Sequence, residues 1–321
     1  MKFWSQTGIL ALLALAASIA QASAYEVTIR RNIEYAVHDG VKLHGDLYHP
    51  VARERGRLPV VPVIVAVHGG GWRSGTPATY KHWATYLAEA GFAVFAIEYR
   101  LAKADQKSYP EAVYDVRAAV QYVRSQAASL AVEPDRIGLM GDGAGAQLAS
   151  LVALANTEAA FSSKYKDDPA AGTPATVKAA VVFYGMYDLI AQWQHDQLAR
   201  PLDQVTAQFL GSQPMTSRQL YLEASPLSYA TVDKNKPAFL VIYGTSDEVV
   251  DSAQQSLAFQ TALRQAQFFA HKIEIPSAGH YWVADPFTDP ASPNAYVGPR
   301  LLRFLEKALE RQEREATTPP S

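Results

Sequence analysis

Apolar positions along this chain follow two periods in turn, and that alternation predicts strands and helices. Two alternating runs come first, Val27–Tyr35 and Val41–Tyr48, joined through His38-Asp39-Gly40. An Asp-Gly pair between such runs signals an antiparallel hairpin. Val60–Val67 is a nearly continuous β-branched run, the pattern of a strand covered on both faces. Phe92–Glu98, Arg136–Met140, Val177–Tyr184, Ala238–Tyr243 and His271–Ile275 are the further strand candidates. Between them the period lengthens. Its clearest case sets Val113, Val116, Val120, Val123 and Ala127 at 3-4-3-4 spacing, one apolar stripe of a helix facing a sheet.

Alternation of this kind predicts an α/β protein with a mostly parallel central sheet, right-handed crossovers, an antiparallel N-terminal start and helices on both faces. The stretch Asp188–Ala224 breaks the rhythm with short helical pieces rich in Gln and aromatics. It reads as a small cap-like insertion over the C-terminal edge of the sheet, where open α/β sheets bind ligands.

The two ends are read differently. Lys2, the apolar run Ile9–Ala20 and Ala22-Ser23-Ala24 have the layout of an export signal over residues 1–24, with a short apolar run that makes no stable membrane anchor. The expectation is a periplasmic or secreted protein with one domain over residues 25–312 and a disordered tail at 313–321. Composition narrows the chemistry. The absence of cysteine excludes disulfides, thiolate catalysis and Cys-based zinc sites. A net charge of -2 carries no electrostatic footprint for nucleic acid. His38, His44, His49 and His82 read as hairpin or surface positions without metal-ligand spacing, so no metal and no cofactor are expected. Glu98 and Arg100 read as a structural ion pair.

Four motifs fall at the C-terminal ends of strand candidates. His68-Gly69-Gly70-Gly71-Trp72 follows the buried run, and consecutive glycines let backbone N–H groups converge on a developing negative charge. Gly141-Asp142-Gly143-Ala144-Gly145 lies between a strand and an Ala-rich helix, with the spacing of a hydrolase nucleophile elbow. Its central position, where the attacking oxygen belongs, holds Gly143. Gly244-Thr245-Ser246-Asp247 places a carboxylate on a loop, and Ser277-Ala278-Gly279-His280-Tyr281-Trp282 presents an imidazole. Nucleophile, acid, histidine is the chain order of the α/β-hydrolases.

With these residues in hand, the chain from about Val37 to Glu310 resembles an α/β-hydrolase of the esterase/lipase group. Within it, the chain is most similar to the carbohydrate-esterase-like branch that contains feruloyl and acetyl-xylan esterases. The segments that carry the likeness are HGGGW, EYRLA at Glu98–Ala102, PEAVYDVRAAVQYVR, EPDRIGLMGD, VVFYGMYDL, SPLSY at Ser225–Tyr229 and YGTSDEVV. The resemblance implies backbone oxyanion donors at Gly69 or Gly70 and at Ala144, with Asp247 as triad acid and His280 as base. It implies a small-molecule ester of a short acyl, acetyl or feruloyl group as substrate. Gly143 departs from the family's serine.

Glycine there relieves a strained turn by ~1 kcal/mol and removes the atom that forms an acyl-enzyme. Losing a triad nucleophile costs on the order of 10⁶ in turnover, and ~10³–10⁴ over water persists from the oxyanion hole and binding. Asp142 does not replace it, because Met140 is too bulky for the elbow rule, and Ser150 lies two helical turns away. Gly141-x-Gly143-x-x-Ala146 also satisfies the dinucleotide fingerprint. That fingerprint wants an acid ~20 residues on at a strand end; Glu158 sits in a loop-like stretch and Asp188 is too far along. Trp72, Tyr187, Trp193, Tyr281 and Trp282 stand open between ordinary packing and a pocket lining, with Trp72, Tyr187 and Trp282 the expected substrate contacts. The alternative reading is a non-catalytic ligand-binding protein on the same scaffold.

Overall fold

The computed structural model describes residues 25–53, 58–232 and 236–317, the last seven by their backbone alone. The export signal read at residues 1–24 lies outside them. Among the described residues eight strands form one sheet in the order β1-β2-β4-β3-β5-β6-β7-β8. They are β1 (Tyr25–His38), β2 (Val41–Ala52), β3 (Val61–Val67), β4 (Ala93–Ile97), β5 (Val132–Asp142), β6 (Ala179–Phe183), β7 (Ala238–Gly244) and β8 (Ala270–Ile275). β1 pairs antiparallel with β2, and β2 with β4; every later pairing is parallel. Each strand expected from the pattern is present. All residues of β3, β4, β6 and β7 are buried, as β-branched runs without polar alternation require. The edge strands β1 and β8 keep exposed positions.

Among the described residues ten α-helices flank the sheet: α1 (Lys81–Glu89), α2 (Glu111–Ser125), α3 (Ala127–Leu130), α4 (Ala144–Ala155), α5 (Ala159–Ser162), α6 (Leu189–Ala199), α7 (Val205–Leu210), α8 (Arg218–Glu223), α9 (Ala258–Gln265) and α10 (Pro293–Thr317). The sheet divides the core in two, because successive side chains of a strand face opposite ways. Val63, Val65 and Val67 pack in one layer with Val113, Leu148, Phe209 and Leu263, from α2, α4, α7 and α9. Ile64 and Ala66 pack in the other with Trp83, Leu87, Leu301 and Leu305, from α1 and α10. The helices α6, α7 and α8 fall within the stretch read as an insertion between β6 and β7. α10 continues to Thr317, into the segment expected to be disordered; residues 318–321 lie outside the described ones.

Three readings are corrected here. His49, read as a hairpin or surface position, is buried on β2, with Nε2 3.0 Å from the Ala131 carbonyl oxygen. His38 is fully buried at the end of β1, between Asp115 of α2 (Nδ1 to Oδ1, 2.7 Å) and Asp168 (Nε2 to Oδ2, 2.8 Å), with Tyr165 stacked on its ring. Burial pulls its pKa down, but the two carboxylate hydrogen bonds outweigh burial and raise it. Glu98 and Arg100 do not pair. Arg100 reaches Asp115 and Asp39, while Glu98 lies 3.5 Å from His44. Both residues lie past the end of β4, where strand alternation no longer sets side-chain direction, and their partners come from β2, α2 and the turn between β1 and β2.

Candidate active site

Parallel pairing brings the C-terminal ends of β3, β5, β7 and β8 to one edge, and each of the four motifs leaves the sheet there. β5 ends at Asp142 and α4 begins at Ala144, so Gly143 alone makes the turn, at φ +50° and ψ −114°. Its N–H donates to the Phe183 carbonyl at 3.0 Å, and its carbonyl accepts from Gln147 N at 3.2 Å. The turn is thus held from β6 on one side and the first turn of α4 on the other.

A Cβ at position 143 would meet only His280 within 4 Å, with Nε2 at 3.4 Å. His280 is anchored from the far side: Nδ1 lies 2.7 Å from Asp247 Oδ2, and the two side chains are 6% and 1% exposed. Asp247 Oδ1 accepts the N–H groups of Val249 and Val250, each at 2.9 Å. A carboxylate placed in this way accepts a hydrogen bond from Nδ1–H of the neutral ring, which leaves the lone pair on Nε2, facing Gly143. Tyr184 supports the ring with its own ring centroid 4.2 Å away. The arrangement sets an imidazole, held by a carboxylate, before a position with no side chain.

The glycine loop is corrected in one respect. Gly69 N donates to Asp142 Oδ1 at 2.8 Å, so that N–H is not free for a ligand. Gly70, Gly71 and Ala144 line the cavity in front of His280, and no hydrogen bond occupies their N–H groups among the described residues. Gly71 was missed, although the third glycine of the motif was legible in the sequence. His68 sits below, stacked on Tyr99 at 4.4 Å, and burial pushes its pKa down to about 4, so it is neutral.

Burial pushes the Asp142 carboxyl up to about 6. Its unfolded value is about 3.9. Between these values the native state holds the proton more tightly, so stability falls as pH rises from about 4 to about 6 and stays lower above. Asp142→Asn keeps an acceptor for Gly69 and removes the charge. The expected result is a free energy of urea unfolding little changed at pH 4 and raised at pH 7 by roughly 2 kcal/mol. An unchanged slope between pH 4 and 6 would show that Asp142 is not the titrating group.

The three aromatic residues expected to contact substrate do not line the cavity. Trp72 is buried, stacked on Phe209 of α7 at 4.3 Å and 8°, and its Nε1 donates to Gln147 Oε1 at 2.9 Å. Gln147 Nε2 in turn donates to the Ala224 carbonyl at 2.8 Å. Trp72 therefore ties the insertion to α4 and the glycine loop. Tyr187 is buried against Phe259 with centroids 4.1 Å apart, and Trp282 packs on Phe183 and Tyr184. Trp72→Ala is expected to cost ~3–5 kcal/mol in urea unfolding, from lost burial and a cavity. A loss below 1 kcal/mol would contradict this packing role. Of the aromatic set, Tyr281 does reach the cavity, 63% exposed at its mouth.

The cavity has a volume of about 140 Å³. Its other walls are Arg73 of the glycine loop, Met186, Val249, and Arg200, Asp203 and Val205 of the insertion. Arg73 binds Asp203 at 2.7 Å, and Arg200 binds Asp203 at 3.2 Å and Asp196 at 2.6 Å. No sequence signal marked these residues, since only the fold of the insertion sets them beside Gly143.

Fold and site together define an α/β-hydrolase of the esterase class. The chain belongs to the BD-FAE family, whose model matches residues 46–263. It is similar to the probable carboxylic ester hydrolase LipM of Mycobacterium tuberculosis, 30% identical over 242 residues that make up 72% of this chain and 53% of that protein. Esterase LipQ of the same organism is 33% identical over 223 residues, 68% of this chain and 50% of that protein. The chain thus spans about half the length of these curated relatives. Among solved structures, a truncated carbohydrate esterase from gut microbiota superposes with a TM-score of 0.69 at 22% identity, over 90% of this chain and 98% of that one. An acetyl ester-xyloside bifunctional hydrolase from Caldicellulosiruptor lactoaceticus gives 0.66 at 21% identity, over 82% and 88%. At such identity these two share the fold.

Proposed function

We propose that this site is built for carboxylic-ester hydrolysis and that turnover is strongly impaired by Gly143. The observation that carries the reading is the Asp247–His280 pair, with Nε2 3.4 Å from the Cβ position of residue 143. In the serine form of such a site the imidazole takes the hydroxyl proton as the acyl-enzyme forms. Here the remaining route is direct. His280 Nε2 takes a proton from water, the water oxygen bonds to the ester carbonyl carbon, and the oxyanion is met by the N–H groups of Gly70, Gly71 and Ala144. Collapse breaks the bond to the alcohol oxygen, which leaves with the proton from His280. The substrate is a small-molecule ester. A cavity of 140 Å³ holds four or five groups of water's ~30 Å³ share, which favours acetyl to butyryl over feruloyl groups. We place the protein outside the cytoplasm on the export-signal layout of residues 1–24.

The test is hydrolysis of acetyl and butyryl aryl esters by the protein as it stands and by His280→Ala. Slow turnover without a burst, lost in the variant, is expected. Turnover at ordinary esterase rates with a covalent organophosphate adduct would place the nucleophile elsewhere.

A further inference from the structure

The cavity before Gly143 adjoins a larger groove, and Arg73 lines both. The groove has a volume of about 640 Å³ and lies between the loop after β4, with Lys103, Gln106 and Lys107, and the insertion, with Leu202 and Gly211. A short acyl group fills the cavity of about 140 Å³, so the alcohol of an ester extends beyond it. From the cations of the groove, we infer that this alcohol carries carboxylates: the substrate is a short-acyl ester of an acidic chain, held by Lys103 and Lys107. The inference rests on the hydrolase reading of the site before His280.

The charge balance of the groove carries it. Arg73, Lys103, Lys107 and Asp105 are its charged residues. Arg73 is held by Asp203 at 2.7 Å. Lys103 and Lys107 are exposed and make no ion pair among the described residues. Two ammonium groups against the one carboxylate of Asp105 leave a positive excess, in a chain whose net charge is -2. The acids behind the loop line a separate cavity and not the groove: Asp39 is paired with Arg100, Glu111 with Lys164, and Glu98 lies 3.5 Å from His44. The backbone fixes where the lysines stand. Ala102 N donates to the Trp72 carbonyl at 2.8 Å and Ser108 N to the Phe209 carbonyl at 3.3 Å, which fastens the loop to the glycine loop at one end and to α7 at the other. Lys103 and Gln106 close the turn between these ties through their backbones. Gly211, at φ +72°, gives the Lys107 stem its place, because a Cβ there would stand 2.9 Å from Cδ of that lysine. An amine-bearing alcohol meets like charge in this groove, and a neutral one leaves both ammonium groups unused.

Impaired turnover lets the intact ester serve as a binding probe. Calorimetry on the full chain compares O-acetylated trigalacturonate with the matching O-acetylated galactotriose, whose rings carry a hydroxymethyl in place of each carboxylate. Exposed charge pairs are individually weak, so the acidic chain is expected to bind about fivefold tighter at low salt. That preference falls below about twofold in 1 M sodium chloride, where the screening length is about 3 Å. Lys103→Gln with Lys107→Gln brings the acidic-to-neutral ratio to near unity, and Lys103→Glu with Lys107→Glu inverts it. The salt series on the unaltered protein decides the matter even where a variant fails to fold. Equal binding of the two chains, a preference that survives 1 M salt, or a ratio unchanged in the glutamate variant overturns the inference. Aryl acetate hydrolysis by Gly143→Ser tests the chemistry separately. An active Gly143→Ser beside a parent that binds both chains equally sinks only the inference. An inactive Gly143→Ser beside a parent that prefers the acidic chain sinks the hydrolase reading and leaves the groove as an acid-binding site.

Discussion

Gly143→Ser raises short-chain ester hydrolysis by about 10³–10⁶-fold, the span between a triad lacking its nucleophile and a complete one. Around residue 143 stand the Asp247–His280 pair and the N–H groups of Gly70, Gly71 and Ala144. A Cβ at residue 143 meets nothing closer than His280 Nε2 at 3.4 Å, so the new hydroxyl arises within hydrogen-bonding reach of the base without displacing any atom. The cost is conformational. At φ +50° an L side chain is strained, and such a residue costs about 1–3 kcal/mol. The variant is therefore expected to be more active and less stable, and to form a covalent adduct with an organophosphate. Assays with aryl acetate and a urea titration measure both sides. A variant that folds, binds the organophosphate site poorly and gains less than tenfold would mean that the cradle or the base is misplaced for acyl transfer.

The second large effect is on folding. Gly145→Ala is expected to cost at least ~3 kcal/mol, or to abolish the cooperative transition, because the added Cβ has no room. It would stand 2.0 Å from the Val67 carbonyl oxygen and 2.5 Å from that of His68. Both obstacles are backbone, at the end of the central strand β3, so no side chain can rotate away. α4 would have to lift from the sheet, carrying Ala144 and Gln147 with it. Gly143→Ala is the control: two residues away, its Cβ meets only the His280 ring at van der Waals distance and costs the strain of its turn. Equal midpoints for the two alanine variants in urea would refute the close approach of α4 to β3.

Much of the fold was legible because its signal is local. Val61–Val67 is apolar at nearly every position, and such a run is stable only between two covered faces. The four chemical motifs were legible for a related reason: each follows a strand, and parallel strands share an edge. Asp247 and His280 are 33 positions apart in sequence, yet their meeting follows from the pairing of β7 with β8.

Other features depended on partners far away in the chain. Trp72 looks the same in sequence whether it faces a ligand or Phe209, and Phe209 belongs to an insertion whose path no period announces. His38 read as a hairpin residue because nothing near it in sequence reveals Asp115 or Asp168. Gly69 and Gly71 were indistinguishable until Asp142 reached across from β5 to take the Gly69 N–H.

The sequence by itself determined the succession of strands and helices along the chain, the turn motifs with Asp247 and His280 on them, and the absence of a side-chain oxygen at residue 143. These follow from period, turn chemistry and residue identity, which need no distant partner. Only the tertiary structure decided which N–H groups stay free, which aromatics are packing, and that Arg73, Arg200 and Asp203 close the cavity. Burial and hydrogen-bond satisfaction belong to pairs of groups brought together by folding, so no single stretch of chain contains them.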